Sequence, residues 1–128
     1  MALLLDTHAF LWWVTDSPNL TKKARTAISS SDEVCFVSLA TCWEMAIKVS
    51  LGRLKLPQTL DRFVSEQMAA NGFRPLAITL AHTALVSTLP FHHRDPFDRL
   101  LAAQAIDGGL SMVSADVEFK KYGVKRVW

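Results

Sequence analysis

"LLLDTH", residues 3–8, decides how the rest of the chain reads. Leu3, Leu4 and Leu5 make an unbroken apolar run, the pattern of an interior strand in a parallel sheet covered on both faces. The run stops abruptly at a carboxylate, Asp6. A buried strand that ends in an acid sets that acid at the carboxyl edge of its sheet, where ligands of open α/β sheets bind. The next segment, "HAFLWWV", is too densely apolar for a surface helix and is expected to pack back against the strand.

The same alternation continues along the chain. "DSPNL" breaks the first helix, and a second is expected over Lys22 to Ser29. "VCFVS" reads as the second strand. Ser38 can cap "LATCWEMAIKVSL", in which Ala40, Trp43, Ile47 and Leu51 recur at helical spacing before Gly52. "TLDRFVSEQMAAN" is a further helix ending at Asn71-Gly72, "FRPLAI" a third strand, and "LAHTALVSTL" a helix capped by Thr79. "HRDPFDRLLAAQAIDGG" is the best punctuated: Asp95 at the cap, Pro96 at the first helical position, Asp98 in the first turn and Gly108-Gly109 past the end. "LSMVS" supplies a fourth strand, a short helix starts near Asp116, and "VKRVW" suggests an edge strand. Strands separated by helices imply right-handed crossovers and a three-layer α/β fold, a central parallel sheet flanked by helices.

Bulk properties agree with one domain over residues 1–128. Half of the 128 residues are apolar and 20% are charged, with no low-complexity tract. Asp6 and His8 interrupt the opening and no basic residue precedes them, so neither a signal peptide nor a membrane span is expected, and the location is expected to be cytoplasmic. Cys35 and Cys42, without a CxxC pattern, are expected to be reduced packing residues. The formal charge of +2 is mild, and its sources are scattered over Lys22, Lys23, Arg25, Arg53, Lys55, Lys120, Lys121, Lys125 and Arg126.

Four acids can meet at the carboxyl edge. Asp6 ends strand one, Asp116 follows strand four, Glu44 lies early in the helix leaving strand two, and Asp98 opens the helix that feeds strand four. Four gathered carboxylates raise one another's pKa and call for a cation. All-oxygen ligation suits Mg²⁺ or Mn²⁺, and such a site suits metal-assisted phosphodiester hydrolysis without a side-chain nucleophile. Each acid except Asp6, which ends a buried strand, also has a plainer reading. Asp98 complements the helix dipole, Glu44 and Lys48 form an i,i+4 ion pair, and Asp116 caps the short helix; for Asp95 the N-cap reading is preferred. The histidines show no metal spacing and are not assigned to the site, and there is no Walker A loop, GxGxxG or GxSxG. Trp12, Trp13, Trp43 and Trp128 read as core or interface packing, with Trp12 or Trp13 able to stack a base or anchor a partner helix if exposed.

Taken together, "LLLDTHAFLWW", "VSLATCWEMAIKVSLGRLKLP", "LPFHHRDPFDRLLAAQA" and "SMVSADVEFKKYGV" resemble the PIN-domain ribonucleases, in particular the VapC-type toxins of prokaryotic toxin–antitoxin pairs. The resemblance covers almost the whole chain. It puts the family's four acids on Asp6, Glu44, Asp98 (rather than Asp95) and Asp116, with Thr7 and Ser114 as hydroxyls beside them. It implies a Mg²⁺- or Mn²⁺-dependent endoribonuclease, usually a homodimer, that cuts cellular RNA such as tRNA or rRNA. The implied partner is a small DNA-binding, VapB-like antitoxin whose C-terminal segment covers the site, with the apolar face around Phe10, Trp12 and Trp13 as a candidate groove. The alternative is a catalytically silent PIN-like RNA-binding or scaffold module. A third class, phosphotransfer at Asp6, expects a second Asp two residues on, where this chain has His8.

Overall fold

The computed structural model describes residues 2–30 and 32–128. Five strands, β1 (Ala2–Leu5), β2 (Val34–Ser38), β3 (Arg74–Leu76), β4 (Ser111–Val113) and β5 (Arg126–Val127), form one sheet in the order β3-β2-β1-β4-β5. Every neighbouring pair is parallel. The helices are α1 (Thr7–Val14), α2 (Lys22–Ser29), α3 (Leu39–Ser50), α4 (Leu60–Asn71), α5 (Leu80–Val86) and α6 (Pro96–Gly108), followed by a 3₁₀ helix at Val117–Tyr122. This is the expected central parallel sheet flanked by helices. None of the described helices is long and apolar enough to cross a membrane.

The leucine run alternates between the two faces of the sheet, as a period of two requires. Leu3 and Leu5 enter one core with Phe10, Cys35, Val37, Phe63 and Val113. Leu4 enters the other, with Leu101, Ala102, Met112 and Phe119. Each leucine is almost fully withdrawn from water, worth roughly 1.5–3 kcal/mol apiece. Cys35 is buried and Cys42 half-buried, both as free thiols. Burial pushes the Cys35 thiol up to about 11, so it is inert packing.

Local chemistry sets the helix ends. The Ser38 hydroxyl accepts from the Ala40 amide at the start of α3 and donates to Oε1 of the fully buried Gln104, at 2.6 Å, tying the β2–α3 junction to α6. Asp95 caps α6, its Oδ1 accepting from the Phe97 and Asp98 amides, and Gly109 closes the helix in the left-handed region.

Two apolar expectations come out differently. On α3 the core face is Ala40, Thr41 and Met45, whereas Trp43 (59% exposed), Ile47 and Leu51 (60%) form a stripe on the surface. The period was helical, but only one of the two apolar stripes on α3 meets the sheet. Near the start of the chain Phe10 is fully buried, and the Trp13 indole donates to Asn71 Oδ1 and lies against Phe73. Phe10 is therefore core and unavailable as a groove wall.

Candidate metal centre

The strand order reverses between β1 and β4, and in open α/β sheets it is beyond the carboxyl ends of the strands at such a switch point that ligands bind. Asp6 follows β1, and its amide donates to the Val113 carbonyl of β4. Its carboxylate caps α1, with Oδ1 accepting from the Ala9 amide at 2.8 Å and Oδ2 from the Ser114 hydroxyl at 2.5 Å. Ser114 Oγ also accepts from the Asp116 amide, so one buried hydroxyl ties together the two acids that follow β1 and β4.

Asp98 comes from the first turn of α6 and Asp116 from the cap of the 3₁₀ helix, where its Oδ1 accepts from the Glu118 amide. The other oxygen of Asp116 lies 2.7 Å from His93 Nε2. His93 Nδ1 is 3.0 Å from the Tyr122 hydroxyl, and the ring stacks on Tyr122 and leans against Phe119. Both contacts of the ring are satisfied when Tyr122 donates to Nδ1 and Nε2–H donates to Asp116. Ligand atoms of His93, Asp98 and Asp116 all lie within 4.8 Å of one another, a His/Asp cluster able to coordinate a divalent metal.

His93 carries no metal-binding signal in the sequence, where such a signal is a repeat like HxxxH within one element. Here the nitrogen arrives from a loop and meets an acid 23 residues away. That loop is held by Arg99, whose buried guanidinium donates to the carbonyls of Val86, Leu89 and Pro90 and lies 4.0 Å from the Phe91 ring centre.

Glu44 stands at another corner. Its Oε1 accepts from the Thr7 hydroxyl at 2.7 Å, and its Oε2 is 3.2 Å from Lys48 Nζ. Thr7 Oγ1 also lies 3.2 Å from Thr41 Oγ1. The two hydroxyls suggested by the sequence thus touch different acids, Ser114 on Asp6 and Thr7 on Glu44. Asp95 is engaged as the cap of α6.

The electrostatics are uneven. Burial holds the Asp6 carboxyl above its usual range, and Asp116 adds to the shift. Asp98 is pushed up to about 7, first by burial, then by Asp95, with Asp6 and Glu44 contributing and His93 opposing. Among the described residues no Lys or Arg forms an ion pair with Asp6, Asp98 or Asp116. Crowded, desolvated carboxylates lacking a counter-charge, with one imidazole beside them, are a donor set that fits a hard or borderline divalent cation.

A parallel sheet with carboxylates and an imidazole at its switch point is the build of a protein that can hold a divalent cation there. The PIN domain family matches residues 3–125, and the chain belongs to that family. It is 30% identical over 121 residues to ribonuclease VapC22 of Mycobacterium tuberculosis, covering 94% of this chain and 91% of that protein. Over 48 residues, 38% of this chain and 34% of that one, it is 40% identical to ribonuclease VapC16 of the same organism. The fold is shared with VapBC2 from Rickettsia felis, solved bound to a DNA fragment from its promoter, at a TM-score of 0.73, 12% identity and full coverage of both chains.

Proposed function

We propose that this protein is a divalent-metal-dependent endoribonuclease, the toxin of a toxin–antitoxin pair, acting on cellular RNA such as tRNA or rRNA in the cytoplasm. The observation that carries the reading is the His93–Asp98–Asp116 cluster beside Asp6, at the switch point of a fold shared over nearly the whole chain with a named ribonuclease.

Asp6, Asp98 and Asp116 would hold the cation, with Glu44 facing it and His93 either ligating it or orienting Asp116. An imidazole in the set favours Mn²⁺ over Mg²⁺. A bound cation supplies charge neutralisation at a scissile phosphate and lowers the pKa of water. The protein's own groups do the rest. Ser114 keeps Asp6 and Asp116 in register, Tyr122 and Phe119 fix the His93 ring, and Thr7 with Lys48 fixes Glu44.

An antitoxin segment that ends a basic side chain in the cluster would replace the missing positive charge and inhibit the enzyme. The exposed stripe of Trp43, Ile47 and Leu51, with Phe97 against Trp43, offers an apolar face for a homodimer.

The test is incubation of the purified protein with total RNA in Mn²⁺ or Mg²⁺ and then with a chelator. New RNA ends are expected with metal, none with chelator, and none with Asp6→Ala or Asp116→Ala. Undiminished cleavage by both variants would remove the site. Metal binding without cleavage would leave the silent RNA-binding module.

A further inference from the structure

At the far edge of the sheet, α2 packs against β5. Between them lies a cleft of about 650 Å³ lined by Lys22, Lys23, Lys125 and Arg126 together with Thr26, Ala27 and Val127. No acid lines it, and among the described residues none of these four cations forms an ion pair. Lys22 and Lys23 occupy the first turn of α2, which carries no acid. This is the positive end of the helix dipole, where lysines are unfavourable unless an anion joins them.

The cleft is connected to the acid edge in two ways. Arg126 Nη1 donates to the carbonyls of Ser114 and Ala115, the turn that delivers Asp116, and its Nε is buried without a partner. Three rings also touch in series from the acid edge, Trp12 and Trp128 with one side packed on the core and only partly buried. His8, two residues after Asp6 and exposed, stacks on Trp12 at 5.4 Å, and Trp12 meets Trp128 at 5.7 Å. Trp128 directly follows Val127, a wall of the cleft.

Rings in series beside a groove of unpaired cations is how single strands are bound without sequence readout, the bases stacking and the phosphates tracking the charge. An acidic peptide would use the cations and leave the rings idle. We infer that single-stranded RNA leaves the acid cluster across His8, Trp12 and Trp128 and lays its phosphates in the cleft between α2 and β5. The inference takes the identity of the polymer from the ribonuclease reading, but it does not need catalysis.

Fluorescence anisotropy of a labelled single-stranded oligoribonucleotide, measured on the intact protein in chelator, reads this path directly. Lys22→Ala/Lys23→Ala/Lys125→Ala is expected to weaken binding about tenfold or more and to flatten the dependence of log Kd on log salt by about 2, from three phosphate contacts at ~0.7 each. Arg53→Ala/Lys55→Ala/Lys120→Ala removes the same charge from exposed positions outside the cleft and is expected to leave that slope unchanged. Trp128→Leu is expected to lower affinity several-fold at an unaltered salt slope, since stacking carries no counterion release.

Equal losses in the two triple variants would reduce the effect to net charge and overturn the path. So would wild-type binding in the cleft variant, absence of RNA binding by the wild type, or loss of binding to an acidic protein segment with RNA binding intact. Adding Mn²⁺ back separates the two readings. RNA held in the cleft but never cut would sink the nuclease and keep the path, whereas cutting that ignores the cleft would do the reverse.

Discussion

Two corners of one acid edge are built on opposite principles. At the Glu44 corner every carboxylate oxygen has a partner, the Thr7 hydroxyl on one and the Lys48 ammonium on the other. At the corner of Asp6, Asp98 and Asp116 the partners are a hydroxyl, an imidazole and backbone amides, and two of the three carboxyls are held above their normal range mainly by burial. The contrast shows where the fold leaves negative charge uncompensated. A carboxylate already neutralised by a lysine gains little from a further cation, while crowded acids with none gain a great deal. The corner lacking a lysine is therefore the one expected to bind metal.

The strongest way to break this comparison is to remove charge from the uncompensated corner without changing its shape. Asp98→Asn should lower Mn²⁺ affinity in calorimetry and cut the rate of RNA cleavage by about 10²–10³-fold or more, the scale for losing one preorganised electrostatic group. A variant that bound Mn²⁺ as tightly as wild type would show that Asp98 is only a first-turn acid of α6.

The next effect separates the corners. His93→Ala should reduce Mn²⁺ affinity about 10–100-fold, since the ring either ligates the metal or orients Asp116. His93→Gln, which can still donate to Asp116, should recover part of the loss if orientation is the role and none if ligation is. Lys48→Ala should change the rate less than about tenfold, because Thr7 still holds Glu44. If the lysine variant proved the more damaged, the ranking of the two corners would be inverted.

How much of this was legible beforehand follows the range of the signal. The leucine run, the Ser38, Thr79 and Asp95 caps and the Gly-terminated α6 are local patterns, and the helices they start or end lie where those patterns put them. Asp6 stood out for the same reason, as an acid terminating a buried strand. His93 did not, because its meaning depends on Asp116, Tyr122 and the Arg99-held loop meeting it in space. Phe10 and the Trp43 stripe were ambiguous for a related reason. Helical period tells which residues share a face but not which of two apolar faces meets the sheet.

The smallest effect concerns stability, and its sign is the opposite of the usual carboxylate case. An Asp stabilised by partners has a lowered pKa and favours the fold at neutral pH. Asp98, raised from 3.8 to about 7, binds its proton more tightly in the folded state than in the unfolded one. Between those two values the native protein holds the extra proton, so the free energy of unfolding falls as pH rises through about 4 to 7 and stays low above that window. Metal-free protein should accordingly melt at a lower temperature at pH 7.5 than at pH 5, with Asp6, also raised, contributing in the same direction. Asp98→Asn should flatten that dependence and raise the metal-free melting temperature at pH 7.5, so that a variant poor at cutting RNA is the more stable protein. Added Mn²⁺ should stabilise the wild type most above pH 7, where Asp98 has lost its proton and is free to bind it, and the Asp98→Asn protein least. A metal-free melting temperature that instead climbed with pH over this range would mean that the acids at the switch point are already compensated, and the difference between the two corners would vanish.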